Sequence, residues 1–427
     1  MNIAVTYYPP IYYARLAGAR GRYLFIVPAI VGLPVYFARV LSPFYLDFPP
    51  DDFPYLAIAL VSDNIYGMAQ VLIILIMCRI LTSRRINRII NYQNFSIDLT
   101  EKRNVNRLTA LGILFLIIAI GSLVTLAVVS GYGVENWILN PRAGYQEYRR
   151  GNGQYWVLAQ ILLSFSTFLL LHTSQSKFKF VYYLLLNGIV WWFLGSKAFL
   201  IGLGAFALSM WFYKFGKSYL IFLIFFLSTF SLMIANYFFV KDSAVDFDTL
   251  KSVLEYFDMY QIGIMYYKEY YGNRIDLFFG NIFLSNFWTY IPRALYEDKP
   301  WVYGITTIVE HFFPGAPEAG NTPGFGGSVE QFADFGYFGL LFAPFFDLTY
   351  LLRTAATIVI CRVLLDGSWK TGKLFLLSVF FLSPNWTPWA GGLYLLSLIV
   401  FLGFVFFCFN LLGRNRWKLR REVAPVV

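Results

Sequence analysis

The sequence is poor in charge and in the residue types that most enzymes use for chemistry. Charged residues make up 14% of the 427 residues and apolar residues 58%, whereas about a quarter of a soluble domain is charged. Histidine occurs twice, and Cys78, Cys361 and Cys408 all lie in apolar runs without the spacing of a metal site. No phosphate-binding glycine loop, paired-histidine zinc motif or nucleophile elbow occurs. These absences argue against a soluble enzyme, ATP-driven chemistry, redox chemistry and structural zinc.

Long apolar runs dominate the chain instead. A helix needs about twenty apolar residues to cross the hydrocarbon core of a bilayer. Ten runs approach that length: 23–41, 55–81, 108–130, 154–173, 180–195, 198–213, 218–240, 337–363, 372–388 and 390–412. The fifth, sixth and ninth are short or interrupted. The pattern predicts an all-α, polytopic integral membrane protein with about ten transmembrane helices, forming one membrane domain over residues 1–427.

The net charge of +10 collects in short links between the apolar runs. Every second link is basic, and cytoplasmic links are the ones that carry the excess of Lys and Arg. This pattern predicts an even number of spans with both termini in the cytoplasm, and it argues against nucleic-acid binding. Arg15, Arg20 and Arg22 precede a full-length span without a cleavage site, so we expect the first helix to remain as an anchor.

The longest link, residues 241–340 between the seventh and eighth runs, reverses this charge pattern. It carries thirteen acidic and six basic residues, which predicts a large outer (periplasmic) loop. Links of this length are normally functional or have structure of their own, so we expect short helices in it. Residues 256–271 are a candidate amphipathic helix on the outer leaflet. Asp246 and Asp248 either hold a divalent metal or lie in a solvated turn.

Two outer links place cations where positive charge is disfavoured. Arg142 lies with further arginines in the link 131–153, and arginine presents a rigid fork of donors matched to phosphate oxygens. Arg142 therefore binds either a pyrophosphate or lipid headgroups. In the hairpin Gly195-Ser196-Lys197, the lysine either points into a cavity or extends to the membrane interface.

Two further elements lie in the long link. Residues 291–300, IPRALYEDKP, display Arg293 and Lys299 on a turn stiffened by prolines, which favours a functional role. Residues 321–330, NTPGFGGSVE, are rich in glycine and end in Glu330, where loop becomes helix. This stretch either lets backbone approach a ligand or only caps the helix. Residues 335–339, FGYFG, follow at the start of a span.

The remaining polar candidates each have two interpretations. His311, in the long link, is either a general base near neutral pH or a packed loop histidine. Asp63, Asp347 and Arg353 lie within predicted spans, where charged groups need a partner or water. They could equally line a transport path, which keeps a transporter hypothesis open.

The order of these elements resembles bacterial oligosaccharide repeat-unit polymerases of the O-antigen (Wzy) type. The resemblance consists of Pro-Arg followed by Asp-Lys-Pro, then Thr-Pro-Gly, then a glycine-rich stretch with Glu and Phe-Gly-x-x-Gly. A charged outer link before the fourth span and a Gly-Ser-basic hairpin before the sixth extend it over most of the chain. Its most specific part is residues 291–300.

The resemblance implies a glycosyltransferase of the bacterial cytoplasmic (inner) membrane that needs no cofactor, metal or nucleotide sugar. Such an enzyme moves a growing glycan from undecaprenyl diphosphate onto a sugar hydroxyl of the next lipid-linked repeat unit. The product is O-antigen of lipopolysaccharide or a related surface polysaccharide. The implied partners are lipid-linked oligosaccharides and membrane lipids, with a chain-length regulator protein left open.

This chemistry needs cations on the departing diphosphate and a carboxylate or histidine near the attacking hydroxyl. Glu330 is assigned as general base or acceptor-orienting group, with His311 as the alternative base. Aromatic residues of the loop stack on sugars or anchor at the interface. The full assignment is catalytic Glu330, Arg293 and His311; diphosphate-binding Arg142, Lys197, Arg293 and Lys299; and sugar-binding Trp288, Tyr290 and Trp301. Family members more often have Arg at the hairpin position. This chain departs from that pattern, because Lys197 cannot make the bidentate contact that an arginine makes.

Two other functions compete with this one. An O-antigen ligase shares the helices, the large loop and the lipid-linked donor but uses a different acceptor, and the Pro-Arg and Lys-Pro element is the reason for preferring the polymerase. A flippase or transporter of lipid-linked oligosaccharide would show inverted repeats and polar residues spread through the spans. No clear repeat is present, and the conspicuous polar chemistry gathers on one face.

Overall fold

The structure is a computed structural model. It describes residues 2–31, 33, 48–81, 100–141, 153–195, 197–216, 218, 220–221, 223–224, 227, 260–291, 295–318, 324–347, 350–351, 354–355, 357–358 and 361. This described part is mostly helical and contains no strand. The prediction of an all-α chain is confirmed to that extent.

The helices follow the chain in this order. They are α1 (Asn2–Leu16), α2 (Gly18–Gly21), α3 (Phe53–Leu81), α4 (Lys102–Val129), α5 (Val134–Leu139), α6 (Gly153–Thr173), α7 (Lys177–Phe193), α8 (Lys197–Phe215), α9 (Tyr260–Tyr271), α10 (Asn281–Ser285), α11 (Thr306–Phe312) and α12 (Gly327–Phe346). Short 3-10 helices at Pro50–Asp52 and Asn286–Tyr290 precede α3 and follow α10, and residues 23–31 are also helical.

Three helices of the described part are long and apolar enough to cross a membrane. They are α3 with its preceding 3-10 turn, α4 and α6, and each coincides with a predicted span. Helices α7 and α8 match two further predicted runs within a few residues, and α12 contains the start of the run 337–363. The runs 372–388 and 390–412 lie outside the described residues, and so does most of 218–240. The total of ten spans stays a prediction.

Helices α4 and α6 pack closely because small and hydroxylated residues line their contact. A Cβ atom at Gly112 of α4 would come within 2.9 Å of the Leu170 side chain of α6, so glycine permits this approach. The Thr109 hydroxyl donates to the Thr173 hydroxyl across the same interface at 3.0 Å. The two helices therefore form a tightly joined pair.

The predicted hairpin between the fifth and sixth runs is described up to Gly195 and again from Lys197, and Ser196 lies outside the described residues. Gly195 has a φ of +69°, a conformation that glycine adopts without steric cost. Two indole N–H groups hold the end of α7: Trp137 Nε1 donates to the Phe193 carbonyl at 2.8 Å, and Trp156 Nε1 donates to the Leu194 carbonyl at 3.2 Å. The C-terminal end of α7 is therefore held in place by two tryptophans.

A hydrophobic cluster, here called the second cluster to separate it from the contact of α4 with α6, joins the start of α3 to the helices of the long link. Tyr267 of α9 packs edge-on against Phe332 of α12, with ring centroids 5.0 Å apart. Lys268 of α9 forms an ion pair with Asp52, with 2.8 Å between Nζ and Oδ1. Phe325 and Val309 are buried in the same cluster. The short helices predicted within residues 241–340 are thus present in its described part, and they form a packed unit.

The candidate interfacial helix at residues 256–271 occupies a different environment from the expected one. Residues 260–271 do form a helix, α9, but Tyr260, Ile264, Tyr266 and Tyr267 are buried in the second cluster. Its aromatic side chains serve as a protein core because helices α3 and α12 cover them. The buried face of α9 therefore packs on protein rather than on lipid, and the position of the helix on the outer leaflet stays a prediction.

Candidate functional site

The first turn of α12 places Glu330 at the junction of the glycine-rich loop and a helix. Gly326 precedes the helix with a φ of +83°, and the helix begins at Gly327. Its helical geometry breaks at Phe335 and Gly336, where Gly336 has a φ of +61°. Glu330 therefore lies on a short helical segment before the kink, ahead of the predicted span 337–363. The prediction that Glu330 sits where loop becomes helix is confirmed.

The carboxyl of Glu330 is surrounded by protein although part of the residue still reaches solvent. Burial raises the pKa of Glu330 to about 7, the nearby Asp334 and Asp347 act in the same direction, and a hydrogen bond with Asn286 partly opposes them. A carboxylate with a pKa near the working pH is suited to accept a proton from a hydroxyl. Glu330 is therefore a candidate general base.

Asn286 is held in place by a glycine on the facing segment. Its side chain is buried against Gly304, where any Cβ atom would overlap the Asn286 amide. Gly304 has a φ of +57°, which also favours glycine, and its N–H donates to the Ser285 hydroxyl at 2.8 Å. Two parts of the long link, residues 281–290 and 295–306, thus meet behind Asn286 and direct it to Glu330.

Asp334 fixes the turn that leads into the Asn286 segment. Its carboxylate accepts backbone N–H groups from Gly280 at 2.8 Å, Ile282 at 3.1 Å and Phe283 at 2.8 Å. It thereby satisfies donors at the start of α10 that have no partner within that helix. Burial raises the pKa of Asp334, and these three hydrogen bonds offset part of the rise. Asp334 acts on the position of the segment that carries Asn286.

Asp63, within α3, has a local structural explanation. Its Oδ2 accepts the Tyr260 hydroxyl of α9 at 3.0 Å, and its Oδ1 accepts the Ser328 hydroxyl of α12. Ser328 is two residues before Glu330, so Asp63 ties a candidate span to the segment that carries the candidate base. A carboxylate with two such donors needs no water-filled path to explain its presence in a span.

Asp347 and Arg353 are the other two charged residues within predicted spans. Asp347 follows the end of α12, and its Oδ1 accepts the backbone N–H of Tyr350 at 3.0 Å. Asp347 therefore has a backbone donor as its partner, and its negative charge lies close enough to Glu330 to raise the pKa of that carboxyl. Arg353 lies outside the described residues.

Lys299 and two of the predicted sugar-binding aromatics lie on the segments that hold Asn286. The Trp288 ring stacks on Tyr296 with 5.6 Å between centroids, and Lys299 Nζ lies 4.7 Å from the centroid of Tyr303. Trp301 is half-buried, and its carbonyl accepts the Thr306 hydroxyl at 3.4 Å. The structure thus brings a cation and half-buried rings onto the same folded unit as the Glu330 partner.

His311 is placed differently from Glu330. It is exposed on α11, and its ring contacts Phe312 edge-on at 4.9 Å. Among the described residues, no hydrogen bond or ring contact joins His311 to Glu330. The two alternative bases therefore have different surroundings, His311 being exposed and the Glu330 carboxyl largely enclosed by protein.

The remaining predicted site residues lie beyond what the structure describes. Arg142 and Arg293 lie outside the described residues. Lys197 begins α8 and Tyr290 ends the 3-10 helix, but their side chains are not described. Their roles in holding a diphosphate or a sugar stay predictions.

Asn286 and Asp334 are functional candidates that sequence reasoning missed. Asn286 lies in an ordinary aromatic-rich stretch and has no motif around it. Asp334 is four residues after Glu330 and so lies on the same side of a helix, which was a usable but weak signal. Within the described part, no group of three His, Cys, Asp or Glu side chains is arranged to hold a metal ion.

Comparison with known proteins leaves the family open. No protein-family model matches the chain, and neither a curated protein nor a solved structure matches it significantly. The functional argument therefore depends on the site itself and on the motif order in the sequence.

Proposed function

We propose that this protein is a membrane glycosyltransferase that polymerises undecaprenyl-diphosphate-linked oligosaccharide repeat units into O-antigen or a related surface polysaccharide. The observation that carries the proposal is the enclosed position of Glu330 beside Asn286 in the first turn of α12, where burial raises its pKa to about 7, at the end of the stretch that bears the resemblance to repeat-unit polymerases. Transfer of a glycan to a hydroxyl needs a proton acceptor and cations, which the loop supplies.

In the proposed reaction, a sugar hydroxyl of the acceptor unit attacks the anomeric carbon of the donor glycan. The new glycosidic C–O bond forms while the C–O bond to the diphosphate breaks, and undecaprenyl diphosphate departs with the bonding electrons. Glu330 takes the hydroxyl proton as general base. Cations neutralise the developing charge on the diphosphate. Lys299 is a described member of this set, and Arg142, Lys197 and Arg293 complete it in the hypothesis.

The aromatic residues have a matching role. Trp288, Tyr290 and Trp301 are proposed to stack on sugar rings of the incoming unit. The partial exposure of Trp288 and Trp301 supports this role, because a stacking platform must leave one ring face accessible. The partners are then the two lipid-linked oligosaccharides, and a chain-length regulator would act on the same cycle.

The proposal includes a membrane arrangement. About ten spans place both termini in the cytoplasm and residues 241–340 on the outer face of the bacterial inner membrane. Three apolar helices of sufficient length support the membrane location. The alternation of basic links supports the orientation.

Deletion of the gene tests the reaction class. Surface polysaccharide on a gel should collapse from a ladder to lipid core capped with a single repeat unit, and a plasmid copy should restore the ladder. Uncapped lipid core would identify a ligase instead. Accumulation of lipid-linked units on the cytoplasmic side would identify a flippase. Either of these two results would overturn the proposal.

A further inference from the structure

Large apolar side chains of the long link point to solvent in the folded unit around Glu330. Phe279 is 77% exposed, Leu284 67%, Phe287 51% and Leu295 80%. We call these four residues the loop patch. They lie outside every predicted span, so the need to cross a membrane does not explain them. Exposed apolar side chains concentrated in one segment mark an interaction surface.

The loop patch begins beside the kink of α12. A Cβ atom on Gly280, next to Phe279, would lie 3.0 Å from Cζ of Phe335, the residue at which α12 kinks. Beyond that kink, Phe338 is 59% exposed, Leu341 48% and Phe346 70%. This part of α12 begins the predicted span 337–363, so its exposed side would face lipid. The chain next to Phe279 therefore lies against the residue that precedes the lipid-facing part of α12.

Phe279 combines an exposed side chain with an unusual backbone conformation. Phe279 has a φ of +48°, a left-handed conformation that bulky side chains rarely adopt. The next residue, Gly280, has a φ of +90°, and its N–H is held by the buried carboxylate of Asp334. A strained conformation that presents an aromatic ring outward suggests a role beyond folding.

The rim of the loop patch has the composition of a membrane interface. Trp288 stacks on Tyr296, which is 46% exposed, and each of the two directly follows a residue of the loop patch, Phe287 and Leu295 respectively. Lys299 extends over the Tyr303 ring. Tryptophan and tyrosine concentrate at the headgroup layer, and lysine reaches from there to water. Apolar residues next to such aromatic and basic residues are typical of a protein surface that enters the acyl-chain layer just below the headgroups.

We propose that the loop patch inserts into the acyl-chain layer of the outer leaflet, forming a membrane contact outside the transmembrane spans. Its occupant is bilayer lipid. The contact would hold the Asn286 segment, and with it Glu330, at the depth of the lipid headgroups. The inference goes beyond the proposed function, since it requires the membrane but no particular reaction.

Photolabelling with an acyl-chain diazirine phosphatidylglycerol tests this proposal. The full chain is placed in phosphatidylethanolamine and phosphatidylglycerol nanodiscs, irradiated, and its adducts are mapped by mass spectrometry. Adducts are expected on the loop patch at levels similar to those on Leu72 and Ile76, exposed residues of α3. Asn273 and Asp298, exposed polar residues of the same link, should remain unlabelled. Labelling of α3 without labelling of the loop patch would overturn the inference.

Two variants distinguish a lipid contact of the loop patch from a loss of the fold and from a loss of the reaction. Leu284→Asn should lower the adducts on the neighbouring Phe287 severalfold, while labelling of α3 stays constant and confirms the fold. Glu330→Gln should leave labelling of the patch unchanged, so that failure of the proposed reaction and failure of the membrane contact remain distinguishable. Intermolecular cross-links through the patch, with no lipid adducts there, would show that a second copy covers it and would also contradict the proposal.

Discussion

Two buried charged groups in this protein have opposite surroundings. Lys214, at the end of α8, donates to the carbonyls of Leu171 and His172 at 2.8 Å, and to the carbonyl and hydroxyl of Ser174 at 2.5 and 3.0 Å. These carbonyls belong to the last turn of α6 and the residue after it, where carbonyls lack partners within the helix. The lysine caps the end of α6 and complements its dipole.

Glu330 has no comparable set of partners. It hydrogen-bonds Asn286, and Asp334 and Asp347 add negative charge nearby. Among the described residues, no cation forms an ion pair with it. The ionised form is therefore disfavoured, which leaves the carboxyl ready to hold a proton near neutral pH. Lys214, with several hydrogen-bond acceptors, thus stabilises the fold, whereas Glu330, with few partners, is suited to accept a proton.

The largest expected effect is that of Glu330→Gln on polymerisation. The amide keeps the shape and cannot accept the hydroxyl proton, so the rate should fall about 100-fold or more, within the range of general-base catalysis. The rate is measured with the purified protein and lipid-linked repeat units. Glu318→Gln, at an exposed glutamate of the same link, is the matched control and should retain the wild-type rate. Full activity in Glu330→Gln would remove Glu330 from the mechanism.

Lys214→Met should lower the stability of the fold rather than the reaction rate. Removing the ammonium group leaves several buried carbonyls without a donor, which should lower the free energy of unfolding by about 2 kcal/mol. The activity per folded molecule should stay close to that of the wild type. Unfolding in detergent by heat or denaturant measures the change, and Lys177→Met, at an exposed lysine, is the control. A variant as stable as the wild type would refute the capping role.

Asn286→Ala tests how the partners of Glu330 set its pKa. The substitution removes the hydrogen bond that favours the ionised form of Glu330. The pKa of Glu330 should therefore rise further, and the activity profile should move to higher pH. At neutral pH the rate should fall severalfold, up to about tenfold for each unit of pKa change. At alkaline pH it should recover. Asn281→Ala, at an exposed asparagine of α10, serves as the control, and an equal loss at every pH would count against the interaction.

The smallest effect is expected for His311→Ala. If Glu330 takes the hydroxyl proton, the exposed His311 has no part in that transfer, so the rate should change by less than about twofold. The same assay as for Glu330→Gln measures it. A loss as large as that of Glu330→Gln would restore His311 as the base.

Local sequence patterns predicted much of the fold. The spans at α3, α4 and α6 were predicted within a few residues because apolar length is a property of each segment alone. The same holds for the position of Glu330 near the start of α12, since the glycine-rich stretch 321–330 marks the junction of loop and helix in the sequence itself, whereas the kink at Gly336 was not predicted.

Contacts between distant segments could not be predicted in this way. Lys214 belongs to the basic links that predict topology, whereas in the structure it caps α6, more than forty residues away along the chain. The aromatic pattern of α9 fits a membrane interface and a protein core equally well, and only the packing of α3 and α12 decides between them. Asn286 and Asp334 acquire their roles from tertiary contacts that no local pattern encodes.

The pH dependence of a single round of glycan transfer tests the central claim most directly. The purified protein is given equal amounts of donor and acceptor units, and the rate is followed from about pH 5 to about pH 9. If Glu330 is the base, the rate should rise about tenfold per pH unit and level off near the pKa of about 7, and Glu330→Gln should abolish this rise. A flat profile in the wild type, or the same rise in Glu330→Gln, would contradict the account.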